Sequence, residues 1–441
     1  MAPTDMTAGP VGPTLRRLAI PMMGAMFAFL LFNLVDTFFV GQLGADELAA
    51  MAFTFPVVFV VMSLSAGLGA GGSAVIARAA GQKDHEKVSR MATHVVLLAV
   101  VIVLAISMTG LAFMEPLFRT LGADGIHLEL VQQYMGIWFA GMAFVVVPMT
   151  GNAALRAVGD TKTPARIMIV ASTTNLILDP LLIFGIGPFP ALGLRGAAIA
   201  TVIAFFTTFV AAFFVFRARG LLHRIQFDKI WQDWKATLHI AVPAAFTMML
   251  APLATAVLTR LAAGISTETV AALGVAGRIE GLALLGVSAL GAVITPFMGQ
   301  NLGAQQHTRI AEGRAYANRF ATIWAGVAAL VIAAAAPWIA QGFTDDPTTA
   351  QAIRLMLWLV PITYGGVGML QLASNTSNGL GRPRDAVVLN VFRIVVAVGL
   401  MATLGAAIAG QVGLFIGIAV GNISSGIFAV MWSRRAVATC A

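Results

Sequence analysis

Charged residues are scarce in this sequence: Asp, Glu, Lys and Arg make up 10% of the 441 residues, against about 25% in soluble globular proteins. Hydrophobic residues make up 59%, so the composition excludes a soluble protein and predicts an integral membrane protein. The single cysteine, Cys440, excludes disulfides within the chain and a cysteine-rich metal or redox centre. A Gly-Lys-Ser/Thr phosphate-binding loop is also absent from the sequence, which excludes ATP hydrolysis by this chain as an energy source.

Apolar runs of roughly 20 residues, each able to cross a bilayer as a helix, recur along the whole chain. They predict an all-α membrane fold of about twelve transmembrane helices near residues 15–40, 48–76, 92–115, 128–152, 166–187, 196–216, 237–262, 270–299, 320–340, 353–373, 386–408 and 412–432. The connections are short and leave no room for a soluble domain.

The net charge of +8 is distributed as membrane topology requires. If both termini are cytoplasmic, most of the 27 Lys and Arg fall in inner segments, such as 78–90 and 217–235, and the outer loops hold little beyond Arg119 and Arg195. This alternation follows the positive-inside rule through all twelve predicted spans. The basic balance therefore indicates a multi-pass protein and no nucleic-acid partner.

The two halves of the sequence are related by an internal repeat. Sliding the first half along the chain until Pro21 lies on Pro243 also places Gly159 on Gly381, and the pattern of apolar runs repeats at the same offset. Since six spans separate the copies, both halves have the same orientation in the membrane, as in parallel-repeat transporters. The repeat predicts two pseudo-symmetric six-helix lobes, residues 1–216 and 237–441, joined by a cytoplasmic linker at residues 217–236.

Three carboxylates, Asp36, Asp179 and Glu280, interrupt the apolar segments. A charged carboxylate in hydrocarbon costs at least about 2.5–3.5 kcal/mol, so an acid at such a position is a candidate functional group. Asp36 and Asp179 both fall in the outer half of the first lobe, and the repeat places Leu258 and Met401 opposite them. Burial and a like-charged neighbour favour the protonated form of a carboxyl group, as exchange of a proton or another cation requires.

Several motifs along the chain resemble those of multidrug and toxic compound extrusion (MATE) transporters. They include Leu18–Pro21, Val35–Gly44, Asn152–Pro164 and Asn378–Pro383. The resemblance extends over nearly the whole chain. The acidic pair in the first lobe resembles that of the DinF-like bacterial branch. The resemblance implies two six-helix lobes of the MOP flippase superfamily around a central cleft, and drug export by alternating access.

The resemblance also implies a cation-coupling network in which Tyr134, Asn175 and Thr201 surround Asp36 and Asp179. The coupling ion is a proton or a sodium ion, since Asp36, Asn175 and Asp179 supply enough oxygens for either, and no further cofactor is expected. From the residues alone, a buried Asn or Thr also fits simple packing between helices.

The resemblance further implies that Asn152, Met26 and Met168 bind substrate. Asn152 could instead cap its helix, and the methionines could simply pack. Ser172 shares one helix face with Asn175 and Asp179 and is expected to bind substrate as well.

Pro21 is a candidate conformational residue, because proline removes a backbone donor and allows a helix to bend. The alternative is a proline in the first turn of the helix, where it is tolerated. For Glu280, a structural ion pair with Arg393 is preferred over a second coupling site.

The sequence therefore predicts a secondary multidrug exporter of amphipathic, often cationic, organic compounds rather than an enzyme. It is expected in the bacterial cytoplasmic (inner) membrane as a monomer, with both termini cytoplasmic and membrane lipid around it. A lipid-linked precursor flippase of the same superfamily is the alternative, but it predicts a strongly cationic cleft and few Lys or Arg lie at membrane depth. A membrane prenyl transferase would need paired acidic motifs on inner loops, and a channel would need recurring rings of like charge. The sequence contains neither pattern, so both classes are disfavoured.

Overall fold

The computed structural model describes residues 4–438, apart from the side chain of Ala397, and Cys440 lies outside this range. The helices are α1 (Val11–Gly41), α2 (Ala45–Gly81), α3 (His85–Ala112), α4 (Met114–Thr120), α5 (Gly125–Ala157), α6 (Lys162–Phe184), α7 (Leu194–Ala218), α8 (Phe227–Ala263), α9 (Thr267–Ala283), α10 (Leu285–Gly303), α11 (His307–Phe343), α12 (Pro347–Leu359), α13 (Tyr364–Gly379), α14 (Pro383–Phe392) and α15 (Thr403–Ala438). A 3₁₀ turn, Pro361–Thr363, precedes α13, and a π-helix, Arg393–Ala402, joins α14 to α15. The predicted all-α architecture is confirmed.

The helices match the predicted spans, with one break that was not predicted. Within residues 4–438, ten helical segments are long and apolar enough to cross a membrane, and α9 with α10 add an eleventh span that bends by 49°. One of the ten segments, Pro383–Ala438, contains the last two predicted spans. The backbone leaves helical geometry at Ala409 and Gly410, and this break separates the two spans. Gly410 has a φ of 56°, in the left-handed region that favours glycine. The span predicted near residues 270–299 is thus present as the bent pair α9 and α10.

The described chain divides into two compact units, each with its own core. The first unit contains Thr4 and residues 24–242. Its central helix is α5, on which α2, α3 and α7 pack, while α6 packs on α7. Tyr134, Trp138 and Met142 recur at every fourth position along α5 and are buried, so one face of this helix forms much of the core.

The second unit contains residues 5–23 and the chain from Pro243 onward. Helix α13 is central here and packs on α10, α11 and α15. The N-terminal segment belongs to this unit because Arg309 binds it: the guanidinium donates to the carbonyl oxygens of Met6 at 3.0 Å and Gly9 at 2.5 Å. Asn301 donates to the same Met6 oxygen at 3.2 Å.

Two helices contribute to both units. The division falls between Met23 and Gly24 in α1 and between Val242 and Pro243 in α8. These positions lie beside Pro21 and its repeat counterpart Pro243. The contacts thus place residues 5–23 in the second unit and residues 217–242 in the first. The sequence instead predicts a first lobe that ends at residue 216 and a second lobe that begins at residue 237. These lobe boundaries stay a prediction.

Candidate cation-coupling site

The acid on α6 has two polar neighbours. Asp179 is fully buried, and Asn175, one turn earlier on the same helix, donates from Nδ2 to Asp179 Oδ1 at 3.0 Å. The same Nδ2 lies 3.4 Å from Oγ1 of Thr201 on α7. The structure therefore brings three of the predicted coupling residues into one chain of hydrogen bonds.

The acid on α1 lies in the same unit and is also buried. Asp36 is 9% exposed, and its charge acts on Asp179, while both acids act on the buried Tyr134 of α5. Within the described chain, Tyr134 makes no direct hydrogen bond to either carboxylate. Asp36, Asp179 and Tyr134 thus lie within electrostatic reach of one another, and hydrogen bonds connect Asn175 to Asp179 and to Thr201.

Each acid has a buried oxygen that no described residue pairs. Oδ1 of Asp36 and Oδ2 of Asp179 are buried and accept no hydrogen bond from the described residues, and no salt bridge there joins either acid to a basic side chain. An unpaired buried carboxylate is costly, and two nearby carboxylates disfavour each other's charge. A proton on one carboxyl group, or a small cation bound by both carboxylates, reduces the cost of burial and the repulsion between the two charges. The arrangement is therefore suited to reversible cation binding.

A tightly held metal is a poorer fit than an exchangeable cation. Among the described residues, no group of three or more His, Cys, Asp or Glu side chains could hold a metal ion. Sodium would instead take oxygens from Asp36, Asp179 and Asn175. Two carboxylates and one amide suit a sodium ion that is bound and released in each transport cycle.

A glycine on α7 sets the distance between the two helices of the site. A methyl group at Gly196 would collide with the carbonyl oxygen of Leu182 on α6. The missing side chain therefore lets α7 approach α6 closely, which brings Thr201 to Asn175.

We expect Gly196→Ala to destabilise the first unit by about 1–3 kcal/mol, the usual cost of overpacking, and to reduce transport by moving Thr201 away from Asn175. Thermal unfolding of the purified protein and initial transport rates measure the two effects. Gly136→Ala on α5 is the matched control, because a methyl group there meets open space. Equal unfolding temperatures for the two variants would contradict the close approach.

The predicted substrate and conformational residues are not joined to this hydrogen-bond chain in the part of the protein that the structure describes. Met26, Met168 and Ser172 are half-buried, and Asn152 is buried near the end of α5 with Oδ1 lacking a partner among the described residues. Pro21 lies inside α1, well beyond its first turn, so the first-turn alternative does not apply. Their roles in binding and bending stay predictions.

The structure confirms one predicted pair and adds a cluster that sequence reasoning missed. Arg393 Nη2 lies 3.7 Å from Glu280 Oε1, as the proposed ion pair requires. In the first unit, Asp233 accepts from Arg90 at 3.1 Å and contacts the fully buried His94 at 2.8 Å. Asp233 lies on α8 and both partners lie on α3, far away along the chain, so only their polarity next to apolar runs could have indicated them.

Comparisons with known proteins agree with the fold described above. The family model described as MatE matches residues 21–181 and 243–403, two blocks that begin at Pro21 and at its repeat counterpart Pro243. The chain is 35% identical to an FAD transporter of Shewanella oneidensis over 433 residues, 98% of this chain and 96% of that protein. It is 27% identical to the probable multidrug resistance protein YoeA of Bacillus subtilis over 371 residues, 82% and 80% of the two chains. The crystal structure of the Vibrio cholerae MATE transporter VcmN in the bent form is similar with a TM-score of 0.93, at 32% identity and with 97% of each chain covered.

Proposed function

Because this chain belongs to the MATE family of secondary transporters, we propose that it exports amphipathic, mainly cationic organic compounds in exchange for protons or sodium ions. The observation that carries the proposal is the buried pair Asp36 and Asp179, each with an oxygen that no described residue pairs, in a multi-pass membrane protein. The acids fall in the first half of the chain, and the repeat has Leu258 and Met401 at their counterparts. This one-sided placement supports membership of the DinF-like branch.

In this exchange Asp36 and Asp179 bind the coupling ion, and Asn175 stabilises the charged and the protonated state of Asp179. A proton or sodium ion entering from outside neutralises Asp36 or Asp179, and its release to the inside restores the charge. Asn175 is suited to both states, because an amide donates to a carboxylate and accepts from a protonated carboxyl group. Transport follows if the two charge states favour opposite openings of the protein, since a ligand shifts a conformational equilibrium only through differential binding.

Export of FAD is the second candidate function. It is favoured by the Shewanella oneidensis relative, which is named an FAD transporter and aligns over nearly the whole of both chains. FAD is also amphipathic, with a planar aromatic ring system and a charged diphosphate. The same cation exchange could drive its export.

The setting of the protein follows from the same proposal. We place it in the bacterial cytoplasmic membrane with both termini in the cytoplasm, because Lys and Arg concentrate in the loops that this orientation puts inside. We expect a monomer surrounded by lipid, with small organic molecules as its transported partners.

Cells that lack their own broad-spectrum exporters test the two candidates together. Cells expressing the chain should retain less ethidium, a planar organic cation, than cells with the empty vector. In the same cultures, FAD in the medium is measured by chromatography. Loss of ethidium supports drug export, and an increase in external FAD supports flavin export. Identical ethidium retention and identical external FAD in the two strains, with the protein present in the membrane, would contradict both.

A further inference from the structure

The second unit contains a polar cavity that the proposed coupling site does not use. It measures about 210 Å³, far more than the ~10–15 Å³ that one water molecule needs. Its wall comes from α8, α9, α14, the π-helix and α15, and includes Thr247, Glu280, Asn390, Arg393 and Asn422. A cavity of this size, lined by two opposite charges and two amides within apolar helices, can accept a polar group of a ligand.

Arg393 has binding capacity that its ion pair leaves unused. Its Nη2 is 3.7 Å from Glu280 Oε1, whereas charge-assisted hydrogen bonds measure about 2.7–2.9 Å. Its Nε is buried without a hydrogen-bond partner among the described residues. The hydroxyl of Tyr364, within electrostatic range of Glu280, is likewise buried and unpartnered in the described chain. Of these two residues only Arg393 lines the cavity, and among residues 4–438 its guanidinium has no acceptor at the distance of a charge-assisted hydrogen bond.

The other polar groups of the wall present mainly acceptors. Asn390 uses its amide hydrogens on Ala386 O at 2.8 Å and Ser374 Oγ at 3.0 Å, and Asn422 donates to Thr363 Oγ1 at 3.1 Å. The amide oxygens of both residues accept no hydrogen bond from the part of the chain that the structure describes. A ligand that fits would therefore offer an anionic group to Arg393 and hydroxyl or amino groups to the amides.

The repeat indicates that this charge pair is not part of the shared scaffold. The alignment that pairs Pro21 with Pro243 places Val58 opposite Glu280 and Ala171 opposite Arg393, both aliphatic. Arg393 is also the first residue of the π-helix, a rare conformation that is frequent at functional sites. The second unit therefore carries polar groups where the first unit has only packing side chains.

We propose that this cavity binds the carboxylate or phosphate group of an organic substrate that also carries hydroxyl or amino donors. Arg393 binds the anion, because its planar guanidinium matches carboxylate and phosphate geometry. Glu280 competes with the anion for Arg393. The proposal rests on the proposed export function. It adds anionic and zwitterionic amphipaths to the cationic substrates, and it supplies a phosphate site for the second candidate substrate, FAD.

Riboflavin and riboflavin 5′-phosphate (FMN) are a matched pair of probes, since they share the ring and the hydroxylated chain and differ by one phosphate. Titration of the detergent-purified protein, followed by flavin fluorescence, should show tighter binding of FMN than of riboflavin. Arg393→Gln should weaken FMN binding by at least about tenfold, as loss of a charged partner usually does, and leave riboflavin binding unchanged. Arg393→Lys should fall between the two, and Glu280→Gln should bind FMN more tightly than the unmodified protein.

Arg278→Gln is the control for net charge, because this exposed arginine lies on α9 but does not line the cavity. It should bind both flavins as the unmodified protein does. Equal binding of FMN and riboflavin by the unmodified protein, or equal FMN binding by Arg393→Gln and Arg278→Gln, would overturn the proposal.

The source of the bound phosphate is distinguished in the same assay. Displacement of FMN by free phosphate supports a substrate subsite. If phosphatidylglycerol binds with the same dependence on Arg393 while FMN and riboflavin do not differ, the phosphate belongs to a lipid and the substrate proposal is overturned. Binding requires no transport, so these outcomes are independent of whether the cation exchange is correct.

Discussion

Replacement of Asp36 by Asn should abolish coupled export while the protein stays folded in the membrane. Asparagine keeps nearly the shape of the side chain but can neither release a proton nor attract a cation. Because Asp36 is 9% exposed and one of its oxygens has no partner in the described chain, the substitution removes a charge without breaking an ion pair among the described residues. Ethidium retention in expressing cells should therefore equal that of the empty vector.

The matched control is Asp46→Asn, which also removes one carboxylate from the first unit. Asp46 is exposed and contacts the ring of His127 at 3.2 Å, so its loss should leave export unchanged. Immunodetection in membranes and thermal unfolding should show equal amounts and equal stability for both variants. Export by Asp36→Asn at the level of Asp46→Asn would show that Asp36 does not couple transport.

Asp179→Asn should produce a loss of export as large as that of Asp36→Asn. Asp179 is fully buried, and its Oδ1 accepts from Asn175, whose Nδ2 also approaches Thr201. An asparagine at position 179 can still accept this hydrogen bond, so the fold should persist while the second negative charge is lost. The measured quantity is the initial rate of ethidium export per amount of protein in the membrane.

The double variant, Asp36→Asn with Asp179→Asn, distinguishes a functional pair from two separate sites. Groups that act as a unit are strongly non-additive, so the double variant should export no less than either single variant. If the single variants each keep part of the activity and the double variant loses the product of the two fractions, the acids act independently. Asn175→Ala should fall between the unmodified protein and Asp179→Asn, because it removes the donor but keeps both charges.

Much of the fold could be predicted because apolar length and internal repetition are properties of the sequence itself. The twelve spans follow from runs of about 20 apolar residues, and the repeat that pairs Pro21 with Pro243 recurs in the two MatE blocks. The turn at Ala409 and Gly410 fell between two predicted spans, where glycine permits a positive φ. Membership of a transporter family also confirms the prediction that the chain is not an enzyme.

The parts that could not be predicted depend on contacts between helices. The break in the span from α9 to α10 falls at Leu284, and neither proline nor glycine occupies that position. The short helix α4 is too brief to leave a periodic signal. The distance between Asn175 and Thr201 depends on how closely Gly196 lets α7 approach α6, and a one-dimensional pattern does not contain that distance.

The pairs of charged residues illustrate the same limit. Glu280 and Arg393 could be proposed as partners because few other charges lie at membrane depth, and Arg393 Nη2 lies 3.7 Å from Glu280 Oε1. The cavity around this pair could not be predicted, since its amides, Asn390 and Asn422, come from separate helices. Similarly, Arg309 on α11 binds a segment at the opposite end of the sequence, before α1.

Transport in proteoliposomes, with the pH gradient and the sodium gradient imposed separately, tests the proposed exchange most directly. The unmodified protein should take up ethidium when the lumen is more acidic than the outside, or when sodium is higher inside, and should take up none without a gradient. The gradient that drives uptake identifies the coupling ion, and Asp36→Asn should take up none under either. Equal uptake by Asp36→Asn and the unmodified protein, or uptake by the unmodified protein that needs neither gradient, would contradict cation exchange at the buried acids.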